Sequence, residues 1–140
     1  MKYFTPSEAV QLINSGESVY IQGSTSIPEV LCKALADRGD ELRDVTIYAA
    51  FAVGRCEAPF CRPEYKDSFN IKSLFVANNI RKWLAAGYGS TIPAFLGEIP
   101  GLFRDGTLPL DAVFLNVSQP NDEGYCSFGV SADLAVSAVE

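Results

Sequence analysis

Residues 18–49 read SVYIQGSTSIPEVLCKALADRGDELRDVTIYA, and this stretch decides the fold. A short apolar strand at 18–22 runs into a turn that contains Gly23. Apolar residues then recur at helical spacing as far as about Arg38, and a second apolar strand follows at 44–49. A strand, a helix and a strand within about 30 residues form a βαβ unit, which predicts a parallel sheet with right-handed crossovers.

A helix is predicted before this unit. Residues 5–8, TPSE, form a capping box in which the threonine hydroxyl and the glutamate carboxylate cap the first turn. Ala9, Leu12 and Ile13 would then lie on one apolar stripe, and the helix would end at 14–16.

Strands and helices continue to alternate after the unit. Further strands are predicted at 71–76, 92–95, 110–117 and 125–128, and further helices at 80–86, 98–104 and 132–139, the last capped by Ser131. Pro93 confines the 92–95 strand to an edge or a strand end. The continuously apolar 110–117 is typical of a strand at the centre of a sheet, and 51–65 is predicted to be irregular. The predicted fold class is α/β, with a three-layer, open, mostly parallel sheet and helices on both faces.

The composition indicates one globular domain. Of 140 residues, 48% are hydrophobic and 20% charged, so the core needs neither a metal nor a disulfide. The cysteines are Cys32, Cys56, Cys61 and Cys126. They form no C-x-x-C pair and no histidine is present, so no metal is expected. Cys126 is predicted to be an inert thiol in an apolar strand.

The net charge and the hydropathy of the chain limit the kinds of partner and the cellular compartment that we expect. The net charge of −6 argues against a nucleic-acid surface, because phosphate contacts need a basic face. The sequence shows neither a charged n-region with an apolar h-region at its start nor a run of 18 apolar residues. We therefore expect a cytoplasmic protein with reduced thiols that does not bind membranes.

Polar loops follow the predicted strands at their carboxyl ends, where open parallel sheets bind ligands. Gly23 permits close backbone approach, and Ser24 and Thr25 offer hydroxyls and N–H groups at a helix N-terminus, which suits a carboxylate or a phosphate. Asn121 adds an amide in a later loop. A capped turn and a stable loop would explain the same residue types without a ligand. The candidate substrate-binding residues are Gly23, Ser24, Thr25 and Asn121.

Other conspicuous residues have simpler explanations than catalysis. Glu98 stands in the first turn of a predicted helix, where the helix dipole alone favours an acidic residue. Trp83 is predicted to be a core or interface anchor. Lys72, Arg81 and Lys82 form a basic cluster that either is solvated or meets a cofactor phosphate. No residue is assigned a catalytic role.

The ordered series of segments along the chain is more specific than any one of them. In chain order these are SEAVQLINSG (7–16), VYIQG (19–23), PEVLCKALA (28–36), FVANNIRK (75–82), IPAFLGEIP (92–100), LPLDA (108–112) and VSQPNDEGYCSFGVS (117–131). With this series the chain resembles the N-terminal domain of the acetyl-CoA hydrolase/CoA-transferase family, and within that family the 4-hydroxybutyrate and butyrate:acetate CoA-transferases.

The resemblance implies a homo-oligomeric protein of two similar α/β domains that moves coenzyme A, as a substrate, from an acyl-CoA to a small carboxylate. It implies a glutamate nucleophile in the second domain and a glutamyl-CoA thioester. Residues 1–140 would be the first domain, Glu140 would end a fragment, and this part alone would be inactive. The loops at 23–26 and 118–124 would form the polar rim of the interdomain cleft.

Three alternatives stay open. Water could accept the acyl group, which would make the protein a hydrolase. The fold could serve as a non-catalytic ligand-binding module, or as a scaffold for a separate catalytic chain. Many relatives carry a histidine in the segment after the second strand, whereas 50–54 is apolar here, which favours a more hydrophobic acyl pocket and leaves the substrate open.

Overall fold

A computed structural model describes residues 2–50 and 59–140, and of Asn79 only the backbone. Within these residues five parallel strands form one sheet in the order β4-β3-β2-β1-β5. The strands are β1 (Ser18–Ile21), β2 (Val45–Ala49), β3 (Phe69–Ser73), β4 (Gly89–Thr91) and β5 (Ala112–Phe114). The helices are α1 (Pro6–Ala9), α2 (Glu29–Ala36), α3 (Asn78–Ala85), α4 (Ile99–Arg104) and α5 (Ala135–Val139), with 3₁₀ turns at Val10–Leu12 and Pro63–Tyr65.

The sheet is covered on both faces, which confirms the predicted three-layer α/β fold. Successive residues of β1 point to opposite faces. Val19 and Ile21 belong to one buried cluster, against which α2 and α3 pack. Tyr20 belongs to a second cluster, which contains Phe103 of α4 and Ala135 of α5.

The capping box at the start of α1 is confirmed. The Thr5 N–H donates to Glu8 Oε2 at 2.8 Å, and the Glu8 N–H donates to Thr5 Oγ1 at 3.3 Å. The hydrogen bonds from Thr5 lower the pKa of the Glu8 carboxyl. The predicted stripe is wrong at Leu12, which is 74% exposed. After Ala9 the chain tightens into a 3₁₀ turn of three residues per turn, which places Val10 and Ile13 on the buried face instead.

Two strand predictions are corrected by the sheet. The fourth strand is Gly89–Thr91, not 92–95. Gly89 passes so close to β3 that a Cβ there would lie 2.3 Å from the Ile71 carbonyl oxygen. The 110–117 run forms only a three-residue strand, and within the described residues it pairs only with β1 and lies at an edge. Its apolar residues are explained by packing on both faces, Phe114 in the first cluster and Val113 against the second.

The C-terminal elements also differ from the prediction. Residues 125–128 form no strand, and Cys126 is exposed rather than buried in a core. The helix begins at Ala135 with Leu134 at the N-cap, not at 132 with Ser131 as the cap. Ser131 is buried and faces the turn after β1 instead. Predictions for 51–58, which include Cys56 and most of the loop after β2, lie outside the described residues.

A candidate substrate cleft at the carboxyl edge of the sheet

The turn after β1 changes the direction of the chain sharply. The Ser26 N–H donates to the Gly23 carbonyl at 3.3 Å, and Gly23 itself is buried. Between them Ser24 has φ 57°, the left-handed region that a residue with a Cβ seldom occupies. This strained corner brings the chain from the end of β1 to Glu29, where α2 begins.

Gln22 connects this turn to two distant parts of the chain. Its side chain is fully buried. Its Nε2 donates to the Ser131 carbonyl at 2.7 Å, and its Oε1 accepts from the Asn116 N–H at 2.7 Å. The Gln22 amide thus fastens the end of β1 to the segment after β5 and to the chain before α5. Sequence reasoning treated Gln22 as a strand residue and missed this role, although a primary amide at the end of an apolar strand is a usable signal.

Thr25 reinforces the same junction. Its hydroxyl oxygen lies 3.4 Å from that of Ser131, within hydrogen-bonding range. Thr25 is exposed, so the residue also borders the space outside the turn.

A cleft of about 470 Å³ opens at this junction, beyond the carboxyl ends of β1 and β5. Its walls are the turn after β1, the first turn of α2 and the chain just after β5, contributed by Thr25, Ile27, Pro28, Glu29, Val30, Leu31, Leu115 and Asn116. The lining is mostly aliphatic, with a hydroxyl, an amide and one carboxylate. Val30, one of the apolar residues at helical spacing before Arg38, is 66% exposed here. Such a mixture of apolar wall and few polar groups is typical of a small-molecule site.

The predicted site residues are only partly brought together. Thr25 lines the cleft, and Gly23 and Ser24 form the backbone turn behind it. Asn121 does not line it. The Asn121 Oδ1 accepts from the N–H groups of Glu123 at 3.1 Å and Tyr125 at 2.8 Å, which folds its own exposed loop. That is the turn chemistry expected of asparagine, and a contact between Asn121 and a substrate stays a prediction.

Glu98 also has a local structural role. Its Oε2 accepts from the Phe95 N–H at 2.9 Å, and its own N–H donates to the Phe95 carbonyl at 2.8 Å. The side chain is exposed beside a second cavity of about 440 Å³, which Pro93 and Ala94 also line. The reciprocal bonds stabilise the turn that precedes α4.

The other residues noted in the sequence lie away from the cleft. Trp83 is partly buried against the first cluster, edge-on to Tyr88. The Lys72 Nζ donates to Ser90 Oγ at 3.2 Å, and the Lys82 Nζ lies 4.6 Å from the Trp83 ring centroid. In residues 2–50 and 59–140, no three His, Cys, Asp or Glu side chains cluster in a way that could hold a metal ion. Across that same part of the chain, no helix is both long and apolar enough to cross a membrane.

Two curated enzymes are similar in sequence to the whole chain. The 4-hydroxybutyrate coenzyme A transferase of Clostridium kluyveri is 32% identical over 139 residues, which are 99% of this chain and 32% of that protein. The succinyl-CoA:acetate/propanoyl-CoA:succinate CoA transferase of Fasciola hepatica is 31% identical over 135 residues, 95% of this chain and 27% of that protein. The chain thus spans between about a quarter and a third of the length of these relatives.

A solved structure shares the fold. RipA from Yersinia pestis superposes with a TM-score of 0.85 at 26% identity, over 96% of this chain and 33% of that one. The family model described as the acetyl-CoA hydrolase/transferase N-terminal domain matches residues 1–140, the full length of the sequence. The chain therefore belongs to the acetyl-CoA hydrolase/transferase family, and its residues correspond to the N-terminal domain of that family.

Proposed function

We propose that residues 1–140 form one wall of the substrate cleft in a CoA-transferase that moves coenzyme A between a short-chain acyl-CoA and a free carboxylate. Acetate, butyrate and 4-hydroxybutyrate are the acids that the proposal covers. The observation that carries it is the cleft beside Thr25, which lies at the carboxyl edge where open parallel sheets bind ligands. Family membership and the transferase names of two relatives support the reaction class.

The proposed reaction proceeds through a glutamate outside residues 1–140, in a second domain of the full-length protein. The glutamate carboxylate attacks the thioester carbonyl and displaces the CoA thiolate, which forms an acyl-glutamyl anhydride. The thiolate then attacks the glutamyl carbonyl of the anhydride, which releases the free acid and leaves a glutamyl-CoA thioester. The acceptor carboxylate reverses these two steps.

In this scheme the described residues bind and orient substrate. The Thr25 hydroxyl can donate to a carboxylate or thioester oxygen, and the backbone turn at Gly23 and Ser24 holds that hydroxyl in place. The side chains of Val30, Leu31 and Leu115 offer the acyl group an aliphatic surface, and enclosure by the second domain would exclude water and protect the anhydride from hydrolysis. Asn121 would act at the outer rim of the same cleft.

Further parts of the proposal concern the whole protein. The two domains enclose the cleft, the protein is a cytoplasmic homo-oligomer, and residues 1–140 alone are inactive and tend to associate. Large apolar side chains are exposed on this domain, including Phe95 at 80%, Tyr125 at 71% and Val130 at 85%. We expect another surface of the full-length protein to cover these side chains.

The full-length protein tests the proposal directly. Incubation with butyryl-CoA and labelled acetate should give labelled acetyl-CoA, and borohydride or hydroxylamine should trap the enzyme's glutamyl-CoA thioester. Thiol release without a carboxylate acceptor would identify a hydrolase, the other activity in the family name. If the protein shows no exchange and no thiol release, both forms of the proposal are contradicted.

A further inference from the structure

The charge of the cleft is one-sided. Among the described residues that line it, Glu29 is the charged one, and Lys and Arg are absent from them. Glu29 is exposed and forms no ion pair with another described residue. Lys33, four residues further along α2, pairs with Asp37 at 2.7 Å instead of with Glu29. The Glu29 carboxylate therefore places an unpaired negative charge at the cleft.

The apolar part of the cleft lies next to this carboxylate. Val30 follows Glu29 on the first turn of α2 and is 66% exposed, although it is a branched aliphatic side chain. Leu31 and Leu115 are partly buried beside it. A methyl or methylene group placed here would leave water for an aliphatic surface, which is favourable.

We propose that this cleft selects an uncharged aliphatic acyl tail and rejects an acyl tail that ends in a second carboxylate. The inference rests on the proposed CoA-transferase function and specifies its substrate class. A terminal carboxylate would lose hydration against the aliphatic wall and would be repelled by Glu29, with no described cation in the lining to pair with it. A terminal methyl group would neither lose favourable hydration there nor be repelled by Glu29.

Butyryl-CoA and succinyl-CoA are a matched pair for the test, because their four-carbon acyl groups differ in a terminal methyl against a terminal carboxylate. With acetate as acceptor, the full-length protein should use butyryl-CoA about a hundredfold better in kcat/KM than succinyl-CoA. Calorimetry on the same protein should show the same order of affinity, which gives a readout that does not depend on turnover.

Glu29 can be tested by changing its charge. Glu29→Lys should lower the ratio of kcat/KM for butyryl-CoA to kcat/KM for succinyl-CoA about tenfold. Glu29→Gln should give an intermediate ratio. Because Glu29 also stands in the first turn of α2, where the helix dipole favours an acidic residue, Glu29→Lys would cost some stability. The ratio of two substrates within one variant is insensitive to that loss. Glu64→Lys is the matched control, because Glu64 is exposed and precedes β3 at the amino edge of the sheet.

The outcomes separate this inference from the function on which it rests. A ratio near one in the unchanged protein, or an equal ratio in Glu29→Lys and Glu64→Lys, would overturn the inference while transfer itself stood. Preferential binding of butyryl-CoA without turnover would support the inference and overturn the transferase proposal. If neither acyl-CoA binds, both are overturned.

Discussion

The side-chain Nε2 of Gln22 donates to the main-chain carbonyl of Ser131 at 2.7 Å, across 109 positions of sequence. The same amide accepts from the Asn116 N–H through Oε1. One fully buried side chain therefore satisfies polar backbone groups on two segments. The segment at Asn116 lines the candidate cleft, and the segment at Ser131 contacts Thr25, which also lines it. The shape of the cleft therefore depends on Gln22, although Gln22 itself does not line it.

Gln22→Leu should destabilise the protein by about 1–3 kcal/mol, because it leaves the buried Ser131 carbonyl without its donor. Urea unfolding measures the change, and amide exchange at Asn116 should accelerate because its acceptor is lost. Gln11→Leu is the matched control, since Gln11 is exposed on the first 3₁₀ turn and should stay within about 0.5 kcal/mol of the original. Equal stability of the two variants would show that the Gln22 amide does not hold this junction.

Tyr20→Phe should be neutral or stabilising by about 1 kcal/mol. The Tyr20 hydroxyl is buried without a hydrogen-bond partner among the described residues, while its ring packs edge-on against Phe103 at 5.4 Å. The substitution keeps the ring and removes the unsatisfied group. Urea unfolding measures the change in stability. Tyr125→Phe is the control, because the Tyr125 side chain is exposed. A loss of more than about 1 kcal/mol would mean that the hydroxyl has a stabilising partner.

Tyr20 also predicts how stability depends on alkaline pH. Burial, and secondarily the charge of Asp133, raise the pKa of Tyr20 far above its ordinary value near 10. Above about pH 10 the unfolded chain ionises this tyrosine while the folded chain keeps it neutral, so stability falls as the pH rises. Tyr20→Phe should reduce that fall. If unfolding free energies of both proteins decline in parallel from pH 8 to 11, the Tyr20 hydroxyl is not protected from ionisation.

Thr25→Val should lower kcat/KM for acyl-CoA about tenfold, because it replaces the hydroxyl in the cleft by a methyl group of similar size. The loss of stability should stay below about 1 kcal/mol, because the contact of the Thr25 hydroxyl with Ser131 is long, at 3.4 Å. Thr91→Val makes the same change on β4, at the far edge of the sheet, and should leave activity unchanged. Full activity in Thr25→Val would remove Thr25 from the site.

Ser24→Gly should raise stability by about 0.5–1 kcal/mol, since glycine adopts φ 57° without the steric cost that serine pays there. Asp44, directly before β2, has the same φ of 57°. Asp44→Gly therefore makes the same backbone change outside the turn and serves as the control. Ser24→Ala removes the hydroxyl alone and separates a substrate contact from backbone strain. Lower stability in Ser24→Gly would indicate that the Ser24 side chain supports the turn.

The general architecture could be predicted from the sequence because it depends on local signals. The 18–49 stretch gave the first βαβ unit, and the polar loop after β1 indicated the edge at which the cleft lies. The position of 110–117 could not be predicted in this way. An apolar run indicates that both faces of a strand are buried. An edge strand that helices cover has the same sequence pattern as a central strand, so the pattern does not distinguish the two positions.

The site was predicted less completely than the fold. Thr25 could be named as a candidate because its residue type and its place before a helix are visible in the sequence, whereas Gln22, Ser131 and Asn116 meet only after folding. Asn121 is a different case. Its side chain is polar and follows β5, yet its amide oxygen is used by its own loop, a competition that residue type alone does not reveal.

A crystal structure of the full-length protein with butyryl-CoA tests the central claim most directly. We expect the acyl chain to lie within about 4.5 Å of Val30 and Leu115, with its thioester end near Thr25. An acyl chain bound elsewhere, with this cleft filled by other side chains of the protein, would contradict the account.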